Sequence, residues 1–278
     1  MNETLNSQLS ILNFFRFPEE CRLGKRVFKK LFHENAKLGA TDRKAFREDI
    51  DVITWAYTLK PITIPIRAYE DDLREYHEVA ILQVNLMAIN RTKRIAEIIH
   101  RAIPYPLIVE FRVENEELRV KGKNKPTLNS ELSTHHSLLS LAHKRFSQVE
   151  KGAIVAEDLI LTKWIDLAAP TPVQRSFLDS LSLSKLPHTH FFAFYAALMD
   201  RLVALDCARL TGEYRLETKA TQRKVRTDRL AVCHELENQI AGHKAAIKKE
   251  TQFNRKVELN MKLKELEKEL ALSIEELG

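Results

Sequence analysis

Asp71, Asp72 and Glu78 stand just before the apolar run 79–86, Val-Ala-Ile-Leu-Gln-Val-Asn-Leu. Acids at a strand mouth hold a divalent metal when two carboxylates and a lysine converge within about 5 Å; the ion then orients water and takes up the charge of a phosphoryl transition state. The run itself offers neither a carboxylate nor a lysine, and its polar positions are Gln83 and Asn85. The three acids read as solvated turn charges, and no catalytic residue is assigned.

Histidines offer a second chemistry. His135-His136 and His188-x-His190 are the closest pairs. A helical metal site places His at i and i+4 beside an acid, whereas neighbours on a strand point to opposite faces. His188 and His190 follow Pro187 and open an apolar segment, where polar side chains cap helices. Cys233-His234 diverges by about 100° on a helix. The three cysteines, Cys21, Cys207 and Cys233, form no CxxC pair, so zinc and dithiol signatures are missing and reduced thiols are expected. Seven glycines in the whole chain leave no Gly-rich phosphate cradle. No metal site and no cofactor are assigned.

Charge is the third signal. The net charge is +6. Basic residues cluster at Arg22, Lys25, Arg26, Lys29 and Lys30, at Lys219, Arg223, Lys224, Arg226 and Arg229, and at Arg119, Lys121, Lys123 and Lys125. Such clusters are usually solvated faces. Where they meet nucleic acid they neutralise phosphates and release counterions, which gives weak affinity without sequence preference. Lys25, Arg26, Lys29, Lys30, Arg223, Lys224 and Arg226 are the candidate contacts. No exposed aromatic interleaving among these charges suggests single-strand stacking.

The elements that position these residues follow from hydrophobic period. Val27, Phe28, Leu31 and Phe32 sit at helical spacing, predicting a short basic helix over 23–32 that ends near Gly39. Thr41 is a suitable N-cap for a second helix through Ile50. Residues 52–57 are β-branched and aromatic; 62–66 reads as an edge strand because Pro65 cannot donate to a ladder; 79–86 reads as a central strand. A helix over 92–103 follows, then a strand over 107–113 returning as a hairpin through 118–121, and strands near 138–143 and 153–161. Ala168-Ala-Pro-Thr-Pro172 marks a junction, beyond which the period is helical only, with one strongly apolar helix over 191–210. The expected fold is α+β: a mixed sheet with flanking helices, then an all-helical region ending in a coiled-coil arm. The expected divisions are 1–169, 170–213 and 214–278.

The arm is the strongest single signal. From Tyr214 onward there is no proline, and Gly242 is the only glycine before Gly278. Leu236, Ile240, His243 and Ile247 step 4-3-4, and Leu259, Leu263, Leu266, Leu270 and Leu277 step 4-3-4-7, which are heptad steps. The register breaks near Gln252-Phe253-Asn254, as a stutter in one helix or as the tip of a hairpin. Leu236, Ile240, Ile247, Leu259, Leu263, Leu266 and Leu270 are the expected interaction seam, to be buried against another helix in a second copy or a different subunit. A homodimer through the coiled coil is one such arrangement.

Three stretches carry a likeness to known proteins: Gln252-Phe-Asn-Arg-Lys-Val-Glu-Leu-Asn260 before the leucine heptads, Ile103-Pro-Tyr-Pro106 after a helix, and Ala142-His-Lys-Arg145 after a strand. With them the chain resembles an uncharacterised bacterial family of similar length, catalogued only as a domain of unknown function. The resemblance implies an α/β body with a C-terminal coiled coil, encoded beside helicases and DNA methyltransferases of restriction or phage-defence type. It carries over no catalytic residues.

Together these readings favour a non-catalytic accessory subunit of a DNA-processing complex. Its expected partners are helicase or DNA methyltransferase subunits, with weak non-specific DNA contact. The alternative is a divergent metal-dependent nuclease, since helix, strand, strand, strand, helix, strand over 41–113 matches the order of restriction-endonuclease-like cores. No apolar run is long enough to span a bilayer and no signal-peptide pattern opens the chain, so a cytoplasmic protein with no membrane partner is expected.

Overall fold

The computed structural model describes residues 9–36, 38–113, 136–149, 152–157 and 159–278. The return hairpin of 118–121, His135 and the cluster Arg119, Lys121, Lys123 and Lys125 lie outside the described residues. Its contacts divide the chain within one helix into two units, Met1–Leu202 and Val203–Gly278.

The first unit is built on a seven-stranded sheet of order β1-β2-β5-β6-β7-β10, with β11 also paired to β7. The strands are β1 (Arg22–Val27), β2 (Ile50–Leu59), β5 (Val79–Leu86), β6 (Leu107–Val113), β7 (His136–Ala142), β10 (Ile160–Leu161) and β11 (Ile165–Asp166). Small ribbons stand beside it: β3 (Tyr69–Glu70) with β4 (Glu75–Tyr76), and β8 (Lys144–Phe146) with β9 (Ile154–Ala156). Among the described strands only β5 and β6 pair in parallel, joined by the crossover helix α4 (Thr92–Ala102). Their apolar residues and central position agree, because a parallel pair needs cover on both faces.

One face carries Ala80, Leu82, Val84, Leu107, Val109 and Phe111. It packs against Ile95, Ala96, Ile98 and Ile99 of α4, and against Phe32 of α2 (Lys29–Asn35) and Phe46 of α3 (Ala40–Glu48). Two forked ion pairs tie α3 to the α4 region. Arg91 holds Asp49 at 2.5 and 2.6 Å, and Arg94 holds Asp42 at 2.8 and 2.9 Å. Such bidentate pairs fix orientation as well as adding energy. The Arg94 bond holds the Asp42 carboxyl below its ordinary value.

Beyond Pro172 every element is helical. These are α5 (Pro172–Ser180), α6 (Phe191–Thr211), α7 (Ala220–Lys249) and α8 (Phe253–Leu277), with a short 3-10 turn at Leu183–Lys185. α5 opens on a capping box in which Thr171 and Gln174 satisfy each other's backbone N–H groups. α6 ends at Gly212, whose φ of 83° is the left-handed turn that closes a helix.

Several local expectations are corrected. Residues 22–27 form β1 rather than the start of a helix, and helix begins only at Lys29. The ladder to β2 (Lys25↔Trp55, Arg26↔Thr54, Val27↔Ile53) outweighs helical spacing. Gly24, at φ 62°, sits where the register shifts between Arg22 and Lys25. Gly39, not Thr41, occupies the N-cap of α3. Residues 62–66 are no strand: the Thr63 hydroxyl and amide both close a turn on Lys60, at 2.9–3.1 Å. The expected strand over 153–161 is two short ones, β9 and β10.

In the second unit α7 and α8 form a helical hairpin. Its tip is Glu250–Gln252, where the Glu250 carboxylate accepts the amides of Thr251 at 2.8 Å and Gln252 at 2.9 Å. The break in heptad register is therefore a turn, not a stutter. At the other end, Cys207, Leu230, Cys233 and Leu277 are buried together. There Arg209 forks onto Glu237 at 2.8 Å through both nitrogens.

Candidate nucleic-acid interface and helical arm

Strand β1 lies at the sheet edge. Arg22, Leu23, Gly24, Lys25 and Arg26 are all exposed, and only Val27 is partly covered. A run without acids, Arg22-Leu-Gly-Lys-Arg-Val-Phe-Lys-Lys30, thus crosses the surface as strand and then helix. Lys25 and Arg26 have no ion pair among the described residues. Arg22 pairs with Glu19 at 3.1 Å and Lys30 with Glu34 at 3.4 Å, all four side chains largely in water, and such pairs are worth little. Lys29 behaves differently. Its Nζ donates to the Ile50 carbonyl, and burial pulls its pKa below the ordinary lysine value. It serves as a tether, so the surface cations are Arg22, Lys25, Arg26 and Lys30.

Aromatic rings border the same edge, which corrects the expectation that no exposed aromatic interleaves with these charges. Phe28 is 67% exposed. Opposite residues on antiparallel strands bring their Cβ atoms within about 4.5–5.5 Å, which sets Lys25 beside Trp55 and Arg22 beside Tyr57. Trp55 and Tyr57 pair onward with Leu82 and Ile81. Those neighbours point to opposite faces, so one half-buried ring flanks β1 on each side. Tyr105 stands edge-on to Trp55 at 6.3 Å, and Phe17 lies 5.3 Å from Tyr57. The spacing of Trp55 and Tyr57 would place both rings on one face of a regular strand, and the register shift between them in β2 is what sends them to opposite faces.

The second basic cluster is not a continuous patch. Arg226 is buried; its Nη1 donates to the Arg215 carbonyl at 2.6 Å and lies 3.7 Å from Glu217. Arg223 donates to the carbonyls of Glu217 and Thr218 at 3.3 and 3.0 Å. Lys224 alone of the three is fully exposed. Arg226 is thus a structural residue, and its assignment as a nucleic-acid contact is withdrawn.

The arm's seam is consumed within the chain. Leu236, Ile240 and Leu266 are buried together, with Leu263 and Leu270 packed against them. Ile247 and Leu259 are half-buried nearer the tip, and Lys244 pairs with Glu267 across the hairpin at 2.9 Å. The expected burial against another chain is replaced by α7 packing on α8. The hairpin leaves a different set uncovered: Phe253, Val257 and Met261 are 79%, 42% and 62% exposed. Spaced i, i+4, i+8, they share one side of the first turns of α8.

Two of the three acids at the mouth of β5 are engaged elsewhere. Asp71 accepts from the Tyr69 hydroxyl at 2.7 Å and from the amides of Leu73 and Arg74 at 2.8 Å. The Tyr69 bond leads in holding its carboxyl below the ordinary value. Glu78 pairs with Lys60 at 3.1 Å. The sequence reading missed Glu110, fully buried on β6, which accepts from Ser10 Oγ at 2.6 Å, Ile11 N at 2.6 Å and Gln83 Nε2 at 2.8 Å. Gln83 is its register partner on β5. That carboxylate anchors the chain before α1 (Leu12–Phe15). Among the described residues no three His, Cys, Asp or Glu side chains are grouped to hold a metal ion. His190 caps α6, its Nδ1 accepting from Ala193 N at 3.1 Å, while His188 Nε2 lies 3.0 Å from the Leu183 carbonyl. His234 pairs with Asp206 at 2.8 Å.

No helix among the described residues is long and apolar enough to cross a membrane. A family model described as Domain of unknown function (DUF4391) matches residues 15–270. No curated protein and no solved structure matches the chain.

Proposed function

The chain belongs to the DUF4391 family, and from that premise we propose that it is a non-catalytic accessory subunit of a DNA-processing assembly of restriction or phage-defence type, acting in the cytoplasm. It docks on a helicase or DNA methyltransferase subunit through its helical hairpin. It touches DNA weakly through the basic surface of β1 and α2.

One observation carries this reading. The hairpin satisfies its own heptad seam and still exposes Phe253, Val257 and Met261 side by side near its tip. Large apolar side chains grouped on an otherwise charged helix mark a protein contact. Self-pairing through the leucine heptads is already used up inside the chain, which favours a different subunit as occupant. The basic edge strand supports the nucleic-acid part of the proposal, because unpaired surface cations give the salt-sensitive, sequence-independent affinity that an accessory subunit needs.

The test is capture of the tagged chain from its native cell, beside the double variant Phe253→Asp, Met261→Asp. The expected result is a co-purifying DNA-stimulated ATPase or DNA methyltransferase that the variant loses while its own helix content stays unchanged. A dimer in light scattering that the same variant converts to a monomer would assign the stripe to a second copy instead. Equal capture by both forms would remove the hairpin tip from the interface.

A further inference from the structure

We propose that the edge of β1 is a binding surface for single-stranded nucleic acid, with the exposed ring of Phe28 as the stacking platform, the half-buried rings of Trp55 and Tyr57 bordering the edge on either face, and Arg22, Lys25, Arg26 and Lys30 as phosphate contacts. The inference rests on the nucleic-acid part of the function proposed above and specifies its substrate. Charge alone would not distinguish a single strand from a duplex, since both present phosphates. Charged residues on an edge strand also have a structural use, because they discourage pairing with another sheet. Neither consideration accounts for Phe28, whereas Trp55 packs against the core and Tyr57 against Phe17. Phe28 stands 67% exposed between Arg26 and Lys30, where it adds nothing to the core and would itself promote aggregation.

The geometry suits an unpaired strand. Proteins that bind single strands without sequence preference combine a basic track with aromatic faces on which successive bases stack. Here the track is β1, six residues long and so about 20 Å in extent. It continues into the exposed side of α2 at Lys30. Phe28 stands past the strand end in line with the track, while Trp55 beside Lys25 and Tyr57 beside Arg22 border it on opposite faces of the sheet. A base within a duplex is stacked on both sides and cannot lie on such a ring, so Phe28 should serve only the single-stranded form. Lys25 and Arg26, with no ion pair to break among the described residues, are the cations most ready to meet phosphate. Glu19 and Glu34 release Arg22 and Lys30 at little expense, because those pairs are exposed.

The experiment is fluorescence anisotropy with the full chain at low salt, using labelled oligothymidylate and oligouridylate of about twenty nucleotides, a length that covers the usual site size, and a duplex of equal length. The expected result is tighter binding of a single strand than of the duplex, the better of the two oligomers identifying the preferred sugar. Phe28→Ala should weaken single-strand binding by about fivefold to a hundredfold, as loss of one stacked base does, and leave duplex binding unchanged. Lys25→Glu with Arg26→Glu should weaken both. Both variants alter exposed side chains, and unchanged circular dichroism checks their fold. Equal affinity for single strand and duplex with Phe28→Ala silent would overturn this inference and leave the general DNA contact standing. No binding of either polymer would overturn both.

Discussion

Lys144 Nζ lies 2.8 Å from the carbonyl oxygen of Ile103 and also donates to the carbonyl of His100. A buried ammonium therefore satisfies the last carbonyls of α4, where cations are favoured by the helix dipole. The contact joins two of the stretches that carry the family resemblance, because Ile103 opens Ile-Pro-Tyr-Pro and Lys144 lies in Ala-His-Lys-Arg. The neighbouring residues extend the same junction: His143 Nδ1 is 2.7 Å from the Tyr76 hydroxyl, which accepts Lys144 N at 3.0 Å. Those short motifs thus record how the end of α4 is seated on the sheet.

That seating predicts a pH dependence. Burial pulls Lys144 from its ordinary 10.5 down to about 7. Between about pH 7 and 10.5 the unfolded chain then binds a proton that the folded chain does not, so stability rises with pH in that window. Below about pH 7 both states carry the proton and this contribution is flat. At about 1.4 kcal/mol per unit of pKa, the rise amounts to a few kcal/mol. His100, pushed down to about 3 mainly by burial and then by Lys144, adds a second rise between about pH 3 and 6.5. Urea midpoints measured across pH should show both. Lys144→Met should remove the upper rise and leave the lower one, made smaller by loss of the Lys144 charge; a Met variant with the upper rise intact would place its origin elsewhere.

Glu110 yields a prediction about anchoring. Its carboxylate accepts three hydrogen bonds, two from Ser10 and Ile11 and one from Gln83. Glu110→Ala leaves those buried donors unsatisfied, at about 1–3 kcal/mol each. The expected outcome is a loss of several kcal/mol in chemical denaturation, with proteolysis beginning near Ile11. Glu110→Gln should lose less, since its amide oxygen still accepts.

Plasmid DNA incubated with the purified chain and Mg²⁺ or Mn²⁺ should stay supercoiled. The side chains at the matching positions of β5 and β6 are Gln83 and a Glu110 already committed to the N-terminal segment, while Asp71 closes its own turn. Nicking that disappears in Asp71→Ala or Glu110→Gln would reinstate the nuclease reading.

The parts legible in the sequence were those whose period is long and whose burial is one-sided. The strand at 79–86, the helix over 92–103, the strand at 107–113 and the change to helix beyond Pro172 all follow from hydrophobic spacing, and the structure places them within a few residues. The parts that failed depend on distant pairing. Nothing local tells residues 22–27 that β2 will offer a ladder, and helical spacing at Val27, Phe28, Leu31 and Phe32 points the wrong way. The surface went with the error: a helix over 23–32 would bury Phe28, whereas strand followed by helix exposes it. Arg226 failed for a similar reason. Its partners are a carbonyl eleven residues back and the Glu217 side chain, and sequence spacing does not mark a cation as buried.

The hairpin gives the prediction that separates the arm's two apolar surfaces. Leu266 is 7% exposed and packs with Leu236 and Ile240, while Phe253 and Met261 face outward. Full burial of a leucine is worth about 1.5–3 kcal/mol, and a carboxylate at the same place adds the burial of an unpaired charge. Leu263→Asp with Leu266→Asp should therefore part α7 from α8 near the middle of the hairpin. Most helical stability in proteins comes from packing of an apolar face rather than from intrinsic propensity, so far-UV circular dichroism should fall and limited proteolysis should enter 240–270. The sheet lies in the other unit, so the near-UV signal of its Trp55 and Trp164 should persist. The outward pair should behave in the opposite way: Phe253→Asp with Met261→Asp should change stability by no more than about 0.5 kcal/mol, as surface substitutions do. If both double variants lose helix to the same degree, the exposed stripe belongs to the fold of the arm and not to its contacts.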